Sequence, residues 1–265
     1  MTSSVDKDHV DQDGFVLVTR RRGKRKVARG GKVDRKNDAG DDAENSKEVD
    51  PSTEAIKSIL TKQTMFQRKL SRTPLAEALL SKGLDFQIVV MYGLGTISSP
   101  RVQLQLALIC LLLEHAKATS DSKESRSLQA FSYDPCHTAL DKAIISALGI
   151  NVMASNNKGY CDFGSSMSSE RIFFYMPHCE RWLYSNVIEH YWSCLERIQI
   201  LGNSFNGYAA RSSEDDWVQR ALDLCEEETF SLDSGPESTL HSSVMFEAFN
   251  DTRLIRFCTP ASKVE

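Results

Sequence analysis

The sequence predicts an α/β fold: a Rossmann-like three-layer sandwich with a mostly parallel sheet, preceded by a disordered N-terminal tail. Three observations predict it. Short apolar runs rich in β-branched and aromatic residues recur at 88–91, 128–133, 150–153, 171–176 and 198–201. Stretches with apolar residues at helical spacing separate most of them, and strands alternating with helices imply parallel pairing through right-handed crossovers. Residues 1–50, by contrast, carry no hydrophobic period. The implied organisation is a charged tail over 1–50, a helical extension over 51–85 and a Rossmann-like domain over 86–262.

The tail has one apolar island, Phe15-Val16-Leu17-Val18, ahead of a basic cluster, Arg20-Arg21-Arg22-Gly23-Lys24-Arg25-Lys26. The charge then inverts through Asp38, Asp41, Asp42, Glu44, Glu48 and Asp50. Such blocks bury too little surface to offset chain entropy. The basic cluster reads as a nuclear import signal, as a solvated tail, or as a salt-dependent nucleic-acid contact. The adjacent acids disfavour the last.

From Pro51-Ser52, a helix places Ile56, Ile59, Leu60, Gln63, Phe66 and Leu70 near one stripe. A short helix over 74–82 ends at Gly83. Residues 88–91 form a buried strand, and Gly93 and Gly95 a tight turn. Ser99 and Pro100 open a long helix whose apolar positions cover most of its surface. After the strand at 128–133 comes a helix with Leu140, Ile144, Ala147 and Leu148, stopped by Gly149. Strands at 150–153 and 171–176 flank a Gly/Ser-rich loop. A helix with Leu183, Val187, Tyr191 and Cys194 leads to the strand at 198–201. Ser213-Glu214-Asp215-Asp216 caps a helix with Trp217, Val218, Ala221, Leu222 and Cys225 inward. A polar loop, a helix over 243–249 and an edge strand over 254–258 complete the chain.

The net charge is −4, and no apolar run reaches the length of a membrane span. Residues 1–13 are polar and acidic, unlike a secretory signal. The seven cysteines are odd in number, scattered and free of CxxC pairs. They read as reduced thiols of a cytosolic or nuclear protein, several of them filling the core.

In an open parallel sheet, ligands bind beyond the carboxyl ends of the strands. The polar tips here are Tyr92-Gly93-Leu94-Gly95, Tyr133-Asp134-Pro135, Met176-Pro177-His178-Cys179 and Gly202-Asn203-Ser204. Gly93-x-Gly95-x-x-Ser98 has the strand-to-helix context of a dinucleotide turn, with Ser in place of its third glycine. Asp134 sits where an acid would hold ribose hydroxyls, though further along the chain than the usual ~20 residues. These positions make Gly93, Gly95, Ser98, Ser99, Asp134, His178 and Asn203 the candidate ligand-binding residues, for a nucleotide or S-adenosylmethionine. The alternative is a structural turn with Asp134 capping the next helix. His178 and Cys179 are adjacent, an arrangement poor for one metal or for a nucleophile pair, and fit a strand-to-helix turn better. Trp182, Trp192 and Trp217 read as core or helix–sheet contacts rather than base-stacking platforms. No HExxH, P-loop or Ser-His-Asp order is present.

The motifs Tyr92-Gly93-Leu94-Gly95-x-x-Ser98-Ser99, Gln103-Leu104-Gln105-Leu106-Ala107-Leu108 and Tyr133-Asp134-Pro135, with Phe174-Tyr175-Met176-Pro177-His178-Cys179 and Phe249-Asn250-Asp251-Thr252, resemble the Sensitivity to Red Light Reduced family. The resemblance spans roughly residues 75 to 260. It implies a regulator tied to phytochrome B red-light signalling and circadian clock input, in nucleus and cytoplasm, with signalling or clock proteins as partners. Members outside plants are linked to regulation of haem biosynthesis. The family brings no agreed enzymatic activity, so the resemblance transfers no catalytic residue. The competing expectation, from the strand tips alone, is an S-adenosylmethionine- or nucleotide-binding enzyme of methyltransferase type.

Overall fold

The computed structural model describes residues 52–119, 128–161, 170–211, 217–233 and 240–258. The charged tail, its basic cluster, the acids at 213–216 and most of the Gly/Ser-rich loop lie outside these residues.

The helical extension forms as its stripe predicts. Helix α1 (Thr53–Leu70) starts where the Ser52 hydroxyl accepts from Ala55 N–H at 3.2 Å. Helix α2 (Pro74–Leu80) has proline at its first position behind a Thr73 cap. Both pack on α3 (Pro100–Thr119), the long helix that follows the glycine turn.

The sheet has seven strands. In chain order they are β1 (Ile88–Tyr92), β2 (Gln129–Tyr133), β3 (Asn151–Val152), β4 (Ile172–Met176), β5 (Ile198–Asn203), β6 (Cys225–Thr229) and β7 (Thr252–Phe257). Their spatial order is β3-β2-β1-β4-β5-β7-β6. The four pairings among β1 to β5 are parallel, and β7 runs antiparallel to both β5 and β6. The sheet is therefore mixed.

Side-chain alternation splits the interior into two cores, one on each face. Val89, Met91, Phe173, Tyr175, Leu201 and Leu254 face α1, α2, α3, α4 (Ala139–Ala147) and α8 (Ser242–Phe249). Ile88, Val90, Tyr92, Phe174, Met176, Ile200 and Ile255 face α5 (Arg181–His190), α6 (Phe205–Ala209) and α7 (Trp217–Leu222). Strands β1 and β4 are buried at every residue, which explains their unbroken apolar runs.

Three expectations need correction. The strand placed at 254–258 is not at the edge: β7 lies between β5 and β6. The edge strand on that side is β6, Cys-Glu-Glu-Glu-Thr, where Cys225 was expected in a helix and the rest in a loop. Its acids hide the strand from any apolar alternation, and two of them are occupied. Glu227 accepts from Phe205 N–H, from Asn206 N–H at 3.0 Å and from the Ser204 hydroxyl at 2.9 Å, so it neutralises the start of α6. Glu228 lies between Lys82 and Arg256. The helix expected to reach Cys194 ends at His190, and a 3₁₀ stretch (Trp192–Arg197) with non-helical dihedrals at Cys194 replaces its last turn. Third, Trp192 is 42% exposed rather than a core contact, with Arg220 stacked on its ring. Trp182 and Trp217 are half-buried against the second core.

Among the described residues no helix is long and apolar enough to cross a membrane. All seven cysteines are free thiols.

Candidate functional site

The glycine turn takes the shape its residues demand. Gly93 and Gly95 have φ of +69° and +77°, in the region L side chains rarely adopt. At Gly93 the space is closed as well: a β-carbon there would lie 2.5 Å from Cys179 Sγ and 3.3 Å from the Pro177 carbonyl. The tip of β4 thus packs directly on the tip of β1. This is the point where strand order reverses and where an open crevice is expected. Here buried Pro177 and Cys179 occupy it.

The turn's backbone donors face the protein's own acids. Gly95 N–H donates to Asp134 Oδ2 at 2.7 Å, and Ile97 N–H donates to Asp141 Oδ1 at 2.9 Å. Asp134 Oδ1 also accepts from Cys136 N–H at 2.7 Å, closing a turn at the end of β2. Asp141 is the third residue of a capping box with Thr138 at the start of α4. Asp134 therefore joins β2 to the glycine turn, while Thr138 caps the following helix. Gln103 Nε2 holds the far side of the turn by donating to the Ile97 carbonyl at 2.9 Å. Ser98 is exposed, and Ser99 contributes its carbonyl to the first turn of α3, accepting from Gln103 N–H at 2.9 Å.

His178 and Asn203 meet at the tips of β4 and β5. Asn203 Oδ1 accepts from His178 N–H at 2.9 Å, and its Nδ2 donates to the Cys179 carbonyl at 3.2 Å and the Tyr208 hydroxyl at 2.8 Å. Asn203 N–H donates to the Tyr184 hydroxyl, which in turn donates to the Met176 carbonyl. Both side-chain amide hydrogens of Asn203 are engaged within the fold. His178 takes φ of +57°, and its Nε2 lies 3.2 Å from the Ala248 carbonyl. Burial, then Arg101, holds its pKa below the ordinary value. Burial pushes the Cys179 thiol well above its usual range, with Asp134 and Glu180 adding to the shift. His178 and Cys179 thus form a structural corner, and the neutral thiol is a poor nucleophile.

An open hollow remains one strand further out. A cavity of about 270 Å³ lies beyond the ends of β2 and β3, lined by Tyr133, Asp134, His137, Lys142, Val152 and Met153. His137 is only 6% exposed, yet neither ring nitrogen has a hydrogen-bond partner among the described residues. Burial lowers its pKa and Lys142 adds to the lowering, while Asp134 and Asp141 oppose them. Of the sequence-predicted site residues, Asp134 borders this cavity and Gly95 is bonded to it. Gly93 packs on Cys179, His178 and Asn203 lie at the β4–β5 corner, and Ser98 and Ser99 begin α3. His137 and Met153 went unnoticed in the sequence. The available signal was a histidine three residues after Asp134, in a connection too short to move it far from the strand tip.

No group of three or more His, Cys, Asp or Glu side chains among the described residues has the geometry to hold a metal ion.

Residues 57–256 match the family model described as the SRR1 domain, about three quarters of the chain. The chain is 34% identical over 125 residues to "SRR1-like protein" of Mus musculus, covering 46% of each. It is 32% identical over 132 residues to "Protein SENSITIVITY TO RED LIGHT REDUCED 1" of Arabidopsis thaliana, covering 48% of this chain and 43% of that protein. Each match spans less than half the length of the curated relative.

Proposed function

The chain belongs to the SRR1 domain family, and on that premise we propose that it regulates phytochrome B red-light signalling and input to the circadian clock. The observation that carries this reading is the family match over 57–256, together with the likeness to an Arabidopsis protein named for sensitivity to red light. The domain acts as a Rossmann-like interaction module rather than through a catalytic constellation. Two features support that mode of action. The strand order β3-β2-β1-β4-β5 is the order of nucleotide-binding sheets. Yet the amides of Gly95 and Ile97, which would face a bound phosphate, bond to Asp134 and Asp141 instead. Signalling or clock proteins are its partners. It works in both nucleus and cytoplasm, and the basic cluster at 20–26 is its import signal.

Expression in an Arabidopsis line lacking its own red-light relative tests this reading. The expected result is restored shortening of the hypocotyl under red light and restored clock period. Neutralising the basic cluster should shift a fluorescent fusion towards the cytoplasm. An expressed, folded chain that leaves both the red-light and the clock phenotypes unchanged refutes the proposal.

A further inference from the structure

We propose that the outer face of α5 is a two-fold homodimer interface, on which a second copy of this chain packs its own α5 antiparallel across Ser185. The inference goes beyond the signalling reading and does not rest on it. Two adjoining hollows mark the face. One, of about 500 Å³, includes Glu180, Arg181 and Trp182 in its wall. The other, of about 380 Å³, includes Glu189, Trp192 and Arg220. Ser185 and Trp217 belong to both, so the two form one groove along α5 and α7.

Composition marks the groove as a protein-binding surface. All three tryptophans of the chain line it. The guanidinium of Arg181 lies 5.9 Å from the centre of the Trp217 ring, and that of Arg220 lies 5.4 Å from the centre of Trp192. Trp and Arg are the side chains that most often anchor protein interfaces. Trp192 stands furthest into water, and a partner that covers its indole gains from the apolar area removed.

Charge and spacing choose the partner. The groove carries two bases, Arg181 and Arg220, and two acids, Glu180 and Glu189. A polyanion such as a nucleic acid would meet the acids as well as the bases. A partner of one dominant sign finds no opposing field here. The charges along α5 are instead antisymmetric about its middle. Arg181, Ser185 and Glu189 stand four residues apart, which puts them on one stripe of the helix. Turning α5 end for end about Ser185 sets Arg181 of each copy against Glu189 of the other. Such reciprocal contacts are what a two-fold interface requires. The short side chain of Ser185 lets two helices cross closely, at roughly 8–10 Å between axes. Trp192 comes seven residues after Ser185, just past the end of α5. The same rotation carries it past the first turn of the other α5, to the hollow walled by Glu180, Arg181 and Trp182. Each copy thus lends one tryptophan to the other.

The test is sedimentation velocity of the full chain at concentrations up to on the order of 100 µM. The expected result is a monomer–dimer equilibrium. Trp192→Ala and Ser185→Arg should each weaken the dimer at least about tenfold. Arg181→Glu or Glu189→Arg alone brings like charges together and should leave a monomer. The two substitutions combined restore opposite pairing between copies and should recover the dimer. Trp192 and Glu189 are exposed, so their variants keep the test decisive if Arg181→Glu does not fold. A monomer at every concentration overturns the proposal. A dimer indifferent to both Glu189→Arg and Trp192→Ala uses another face and overturns it too. So does a folded double variant that stays monomeric. If the chain is monomeric and Ser185→Arg nevertheless abolishes red-light complementation, the face belongs to a different protein and self-association is refuted. The sedimentation result is read without any plant phenotype, so this proposal and the signalling reading fail separately.

Discussion

Single residues at the strand tips carry most of the local constraint. Gly93 and Gly95 share a left-handed backbone, but only Gly93 also lacks room for a side chain. A β-carbon at Gly95 meets nothing closer than Val102 Cγ2 at 3.8 Å. Gly95→Ala should therefore cost ~1–2 kcal/mol, the strain of the left-handed region alone. Gly93→Ala should cost more, because displacing Cys179 adds an overpacking penalty of about 1–3 kcal/mol. Chemical denaturation of both variants checks the order, and equal losses would refute the packing argument. Two histidines predict a pH dependence: His137, which is buried, and His178, an exposed residue whose ring is partly buried against the Ala248 carbonyl. Burial lowers the folded-state pKa of both His137 and His178 from 6.5. The unfolded chain then takes up protons more readily, so the stability they confer is complete above about pH 6.5 and is lost as the pH falls further. Melting temperature should drop between about pH 7 and about pH 5, and less steeply in a His137→Gln, His178→Asn double variant. Of the tip residues, the turn glycines and Asp134 were legible as neighbours because glycine and acid follow consecutive parallel strands. His137 was not, since burial without a partner leaves no trace in a short polar connection.

Elements follow the same logic at larger size. Central strands β1 and β4 and helix α3 were legible because burial on both faces, or nearly all round, demands unbroken apolar sequence. Strand β6 was not, because Glu227 and Glu228 bind an adjacent helix end and basic side chains rather than facing a core. Overlooking β6 also misplaced β7, which then had no outer neighbour. The interior position of β7 is testable. Leu254 is 0% exposed within the first core. Leu254→Ala should cost ~3 kcal/mol by urea denaturation, as cavity-forming core truncations do. A loss below about 0.5 kcal/mol, typical of a surface position, would contradict it.

At the scale of the molecule, two cores share one sheet, and helix α3 is the hub of the first. The Tyr175 hydroxyl donates to the Gln105 carbonyl at 3.1 Å, and Gln105 Nε2 donates to the Ala248 carbonyl at 3.0 Å. Strand β4, α3 and α8 are thus joined through one glutamine. The thiols report on the integrity of this interior. Cys110 on α3 is buried, and burial, then Glu114, pushes its pKa up to about 12, whereas Cys136 is exposed. Iodoacetamide should modify Cys136 first in the native protein and reach all seven cysteines only after denaturation, as read by mass spectrometry. Early labelling of Cys110 would mean that α3 is not enclosed. Overall class was legible because alternation of strand and helix constrains topology, while the swap of parallel for antiparallel pairing after β5 depends on a strand with no apolar signature. The bond from Gly95 to Asp134 has a consequence for selectivity in a cell crowded with phosphorylated metabolites. By seating its own carboxylate where such compounds would dock, the chain carries a tethered competitor that shuts them out.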